Sequence, residues 1–266
     1  MPGQKTVFIG VSPLIPHLTY NMVALDGGLR LLEKCEGNME DILTFIIAKE
    51  DAAVALNFPR RLNQGMAKAV QAKYSGPGRP QMYAQDKRLC ESVLQRLGIK
   101  SWGTPAELAQ CPLWMQQGFG FYERLDATGF AGLTTDGGSR RCLETQAEGV
   151  FRALLGKPLL SQRSLEGRVQ RQLVLFDRGM RIADPMDFFE EITRHRLIQG
   201  NLPLQKLYAL GELDAMACAF MAWYAINHPQ ALSQVGDPQE GALILPFLKE
   251  LEAQPQIETQ QMTIFS

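Results

Sequence analysis

The alternation of apolar and polar positions is clearest up to Pro59. Thr6–Val11 is rich in β-branched and aromatic residues and predicts a strand stopped by Ser12-Pro13. Thr19–Leu25 and Leu29–Cys35 predict two more strands. They are joined through Asp26-Gly27-Gly28, residues that tolerate the positive φ of a tight turn, so the pair should form a hairpin. Asn38 has the chemistry of an N-cap for a helix over Met39–Lys49, with Glu40 and Asp41 favoured in its positive first turn. The continuous apolar run Ala52–Leu56 predicts a fourth strand ending at Asn57-Phe58-Pro59. The first three strands are expected to be antiparallel, and a right-handed crossover through the helix lays the fourth parallel to the first.

Beyond this point the pattern changes. Pro59–Pro80 reads as a long loop or loosely helical insertion holding Arg60, Arg61, Lys68, Lys73 and Arg79 and no acid. Helical periodicity then takes over Gln81–Leu97, which Gly98 stops, and Leu113–Thr128, closed by Gly129; between them Thr104-Pro105-Ala106-Glu107 has the spacing of a capping box. Arg141–Glu144 predicts a fifth strand, followed by a helix to Leu155. Further helices are expected from Ser164 to Gly179, over Pro185–Gln199 and over Glu212–Asn227, the last being the most apolar and ended by His228-Pro229. Gly241–Leu245 reads as a last edge strand. No repeat, low-complexity tract or shift of composition divides the chain. The simplest account is one α/β domain over 1–253, with a loop and helical insertion at 59–140 and a flexible tail over 254–266.

Composition narrows the class without naming an activity. The 266 residues, 45% apolar and 21% charged, suit a globular protein long enough to bury a core. Lys and Arg number 27 against 28 Asp and Glu, a net charge of −1, which excludes a generally basic nucleic-acid coat but leaves a local basic groove open. The five cysteines, Cys35, Cys90, Cys111, Cys142 and Cys218, contain no C-x-x-C pair, which argues against both a disulfide framework and a zinc ribbon. The N-terminus shows no signal-peptide pattern, and the longest apolar stretch, Ala215–Ile226, falls short of the roughly 20 residues that span a bilayer. A cytoplasmic location without a membrane partner is the expectation, and the oligomeric state is left open.

Several sharp motifs are missing. There is no Walker loop, Gly10-Val11-Ser12-Pro13 is not a nucleophile elbow, and Gly118-Phe119-Gly120 lacks the third glycine of a dinucleotide fingerprint. His17, His195 and His228 have no ligand spacing. The acids are more informative. In Gly211-Glu212-Leu213-Asp214 two carboxylates enter an apolar helix, which is costly unless they are paired or hydrogen-bonded. Positions two apart are separated by about 200° of rotation, so only one can face a shared site. Asp214, on the face of Cys218, Met221 and Ala225, is the inward candidate, while Glu212 suits the positive first turn. Glu144, ending the predicted fifth strand, is a second inward candidate. Arg60 and Arg61 follow strand four, and Arg163, Arg168 and Arg171 fall on or just before one helix; forked guanidinium groups suit phosphate oxygens, and a solvated face balanced by Glu166 and Asp177 is the plain alternative.

The order of elements, together with six stretches, resembles the family called domain of unknown function 429, described as ribonuclease H-like nucleases. The stretches are Phe8-Ile9-Gly10-Val11, Val54-Ala55-Leu56 followed by Pro59, Leu143-Glu144 before a helix, Gly167-Arg168-x-x-Arg171-Gln172, Gly211-Glu212-Leu213-Asp214-Ala215 and Gly236-Asp237-Pro238-Gln239-Glu240-Gly241. The resemblance implies a ribonuclease H-like α/β fold, a mixed five-stranded sheet with a β-β-β-α-β start. It also implies a phosphodiesterase in which carboxylates at the ends of strands one and four and on a late helix hold two Mg²⁺ or Mn²⁺ ions. Those positions here are Ser12, Asn57 and Asp214, and the first two carry no charge. The implied activity is therefore metal-dependent hydrolysis of nucleic acid at an eroded site, with Asp214, Glu144 and the Asn57 carbonyl as the remaining metal donors and Glu212 beside them. The five arginines would hold the substrate phosphates. The alternative is a catalytically inactive nucleic-acid- or protein-binding module on the same fold. Phosphotransfer of the actin and sugar-kinase type lacks a glycine-rich loop after strand one. All these roles require Ser12, Asn57 and Asp214 to converge.

Overall fold

The structure, a computed structural model, describes residues 6–15, 17–74, 86–133 and 138–249. The predicted tail 254–266 and the start of the predicted Gln81–Leu97 helix lie outside these residues. The strands are β1 Val7–Leu14, β2 Thr19–Leu25, β3 Leu31–Gly37, β4 Ala52–Leu56, β5 Arg140–Glu144, β6 Leu232–Val235 and β7 Leu243–Pro246. The α-helices are α1 Met39–Ile47, α2 Met66–Tyr74, α3 Leu89–Arg96, α4 Leu113–Ala127, α5 Ala147–Leu155, α6 Leu165–Asp177, α7 Asp187–Glu190, α8 Arg194–Ile198 and α9 Leu210–Asn227.

β1 to β5 form one mixed sheet in the order β3-β2-β1-β4-β5. β1, β2 and β3 are antiparallel neighbours, while β4 lies parallel to both β1 and β5. This is the α/β sheet and β-β-β-α-β start that the sequence implies. Local chemistry explains its joints. Asp26 Oδ1 accepts the Gly28 and Arg30 N–H groups, both at 2.9 Å, closing the β2–β3 turn in which Leu29 takes a φ of 58°. Asn38 Oδ1 accepts the Glu40 and Asp41 N–H groups at 2.9 and 3.1 Å and starts α1.

β1 runs further than expected: Pro13 pairs opposite Tyr20 and Leu14 opposite Thr19. Val11 O accepts the Asn57 N–H, so the odd-numbered residues of β1 turn their polar backbone towards β4. β4 ends at Leu56, and the donor that Pro13 lacks would point where the ladder has already stopped.

Two apolar layers sandwich the sheet. On one side α1 and α4 cover Ile9, Val11, Tyr20, Met22, Val54 and Leu56. On the other, α5, α6 and α9 cover Phe8, Val23, Leu25, Ala53, Ala55 and Leu143. α9 lies directly on β1. A Cβ on Gly10 would stand 2.0 Å from Ala215 O and 2.1 Å from Ala219 N, so the two backbones touch where neither strand nor helix has a large side chain. Gly211 makes a second close approach, to side chains rather than backbone: a Cβ there would stand 2.5 Å from Asn21 Nδ2 of β2. The segment Leu204–Asn227, apolar and long enough to cross a membrane by length and composition, is thus mostly the central core helix of this fold.

Three expectations are corrected. The Thr104 capping box does not form, because the Thr104 hydroxyl and N–H are drawn to the buried Glu91 carboxylate; a short 3₁₀ turn, Leu108–Gln110, stands in place of a helix. The Pro185–Gln199 helix is broken into α7 and α8, since the Thr193 hydroxyl accepts the Arg196 N–H and caps a second start. Gly241–Leu245 is not an edge of the main sheet: its residues from Leu243 on belong to β7, which pairs with β6 in a separate two-stranded sheet.

Gly10→Ala should lower unfolding free energy by about 3 kcal/mol or more, since backbone rather than a flexible side chain fills the space. Gly120→Ala, in α4 with nothing within 4 Å of a new Cβ, should raise it by about 0.5–1 kcal/mol. Urea denaturation of the two variants measures both.

Candidate functional site

Ser12 and Asn57 stand where β1 loses its β4 neighbour and where β4 ends, and both are buried. Asn57 Nδ2 donates to Ser12 Oγ at 2.9 Å, while Asn57 Oδ1 accepts the Ala147 N–H at 3.1 Å at the start of α5. Gly10, Ser12 and Leu14 share one face of β1. Gly10 meets α9 at Ala215 to Ala219, and Leu14 approaches it at Gly211. Ser12 therefore looks onto the first turns of α9, the turns that carry Asp214. The three positions share one face and one end of the sheet.

The Asp214 side chain has no hydrogen-bond partner among the described residues and is partly accessible. Burial, together with the Glu148 carboxylate beside it, pushes its carboxyl up to about 7, with Arg171 pulling the other way. Glu148 was not singled out by the sequence. Arg171, fully buried on α6, donates from Nη2 to both Glu148 oxygens at 2.9 and 2.7 Å and from Nη1 to the Leu160 and Gly167 carbonyls. Its guanidinium lies over the Phe151 ring, 5.7 Å from the centroid. Cys218, one turn along α9, is also buried, and its thiol is pushed up by that burial and by Asp214.

Glu212 points away from this group, as the rotation between the two acids requires. It accepts the Ala209 N–H at 2.7 Å and pairs with Lys34 of β3, the part of a helix cap.

Glu144 does not join Asp214, which corrects the ligand set expected for it. It pairs in register with Leu56 and so emerges on the α4 face, opposite the face of Asn57. Its oxygens accept Arg88 Nη2 at 2.6 Å, Arg88 Nη1 at 3.2 Å and the Arg60 N–H at 3.1 Å. Arg88 is fully buried and also binds Glu91 at 3.0 Å and the Glu240 carbonyl at 3.1 Å. The Glu240 carboxylate in turn accepts the N–H groups of Gln64, Met66 and Leu89. These residues form an ionic web that joins the end of β5, the start of α2, the start of α3 and the 236–241 loop. Arg88 and Glu91, three positions apart, were not singled out by the sequence, and Glu240 stood there only within a motif stretch; contacts between segments remote in the chain link the three to Glu144 and to the starts of α2 and α3.

The arginine surface is corrected as well. Arg60 is held by Asp126 at 2.7 and 3.0 Å over the Tyr122 ring, on the α4 side. Arg61 reaches the Pro238 and Gln239 carbonyls. Arg168 binds the Leu207 and Tyr208 carbonyls, and Arg171 is spent on Glu148. Arg163 is exposed on the loop before α6. The five do not make one phosphate-binding patch, because Arg60 and Arg171 lie on opposite sides of the sheet.

A clamp for two divalent ions needs several anionic oxygens turned towards the ions. Ser12 and Asn57 offer neutral donors bonded to each other, Glu148 is engaged by Arg171, and Glu144 faces the other side. The donors gathered here do not fit such a clamp.

Arg88→Met should cost about 3–5 kcal/mol by leaving buried carboxylates uncompensated, and adding Glu144→Gln should recover part of it, as a denaturation cycle will read. Asp214 holds its proton more tightly in the folded chain, about 7 against an ordinary 3.8. Its stabilising contribution is complete below about pH 4 and is lost as pH rises towards 7. Asp214→Asn should flatten that part of the stability–pH curve and gain, relative to the parent, of the order of a few kcal/mol between pH 4 and pH 8.

No curated protein and no solved structure matches the chain. One family profile does, and it spans residues 20–240, most of the sheet and both helical layers. The chain belongs to the family described as Protein of unknown function (DUF429).

Proposed function

We propose that this protein is a ribonuclease H-like member of its family that has given up two-metal hydrolysis and serves as a non-catalytic binding module. The observation that carries this reading is the Asn57–Ser12 hydrogen bond. At the two strand ends where the fold relationship calls for carboxylates, a neutral pair closes on itself, and Asn57 spends its carbonyl on the start of α5. Arg60, Arg61, Arg168 and Arg171 are engaged by protein acceptors, which favours a protein over a nucleic acid as the partner. The five free cysteines, four of them buried, support a reducing cytoplasmic location.

A second reading, hydrolysis with a single Mg²⁺ or Mn²⁺ ion, draws on Asp214, whose carboxylate has no hydrogen bond among the described residues and lies beside Glu148. Cleavage of single- and double-stranded DNA and RNA with Mn²⁺, alongside calorimetric titration of the metal, separates the two. The binding-module reading expects no cleavage above the metal-only control and gain of metal binding in Ser12→Asp/Asn57→Asp. Mn²⁺-dependent cleavage by the parent chain that Asp214→Ala abolishes would overturn it in favour of the hydrolase.

A further inference from the structure

We draw no further inference here: the strongest candidate, the recess beside the first turns of α9 where the Asp214 carboxylate meets the Arg171-bound Glu148, belongs to the site already described, and beyond its two acids nothing in the structure points to a ligand.

Discussion

The contact of two bare backbones, β1 at Gly10 and α9 at Ala215 to Ala219, sets the position of everything around it. A strand and a helix normally stand apart by the length of their side chains. Here the helix offers alanines and a cysteine, the strand offers a hydrogen atom, and the two meet directly. That leaves α9 no freedom to slide or roll, because Gly211 makes a second close approach over β2. The helix is apolar on nearly all sides for the same reason: the sheet takes one face and α5 and α6 take others. Its first turns are consequently delivered to the place where β1 and β4 run out, and Asp214 is carried there with them.

The far side of the sheet end is organised by charge. Arg88 has no solvent contact and is enclosed by Glu91, Glu144 and the Glu240 carbonyl. Ions removed from water gain little net stability from pairing, but the loss of one partner is severe, so such a web acts mainly to enforce one arrangement. Here it fixes where the chain leaves β4, where two helices begin and how the Gly236–Gly241 loop returns. Gly241, at a φ of 91°, has room for no Cβ because Glu144 and Arg88 crowd it at 2.7 and 2.9 Å. The same reasoning explains why an acid at a strand end, which in isolation resembles a ligand, is here a structural anchor.

Much of the sheet was legible in the sequence because its signals are local. The Asp26 turn, the Asn38 cap and the apolar run of β4 each depend on neighbours a few positions away. The separation of Glu212 from Asp214 followed from helical rotation alone. What stayed hidden depends on distant partners. Glu144 could not be told from a metal donor without Arg88, and the Thr104 box was lost to Glu91, a stronger acceptor buried beneath it. Arg171 carried the spacing of a phosphate-binding residue, yet its direction is set by how α6 packs on α5, where Glu148 waits. The helix from Pro185 was divided by one hydroxyl, Thr193, that the periodicity does not weigh.

The neutral Ser12–Asn57 pair has a consequence for how the fold meets its ionic surroundings. A cluster of carboxylates at those strand ends would repel itself whenever dissolved divalent ions were scarce, and the architecture would loosen with each fall in their supply. Amide and hydroxyl make no such demand. The like-charge contact between Asp214 and Glu148 nearby has a guanidinium, that of Arg171, built in beside it. On the binding-module reading proposed above, the sheet end keeps its shape in the presence of chelators or under magnesium starvation, where a lining of carboxylates would not.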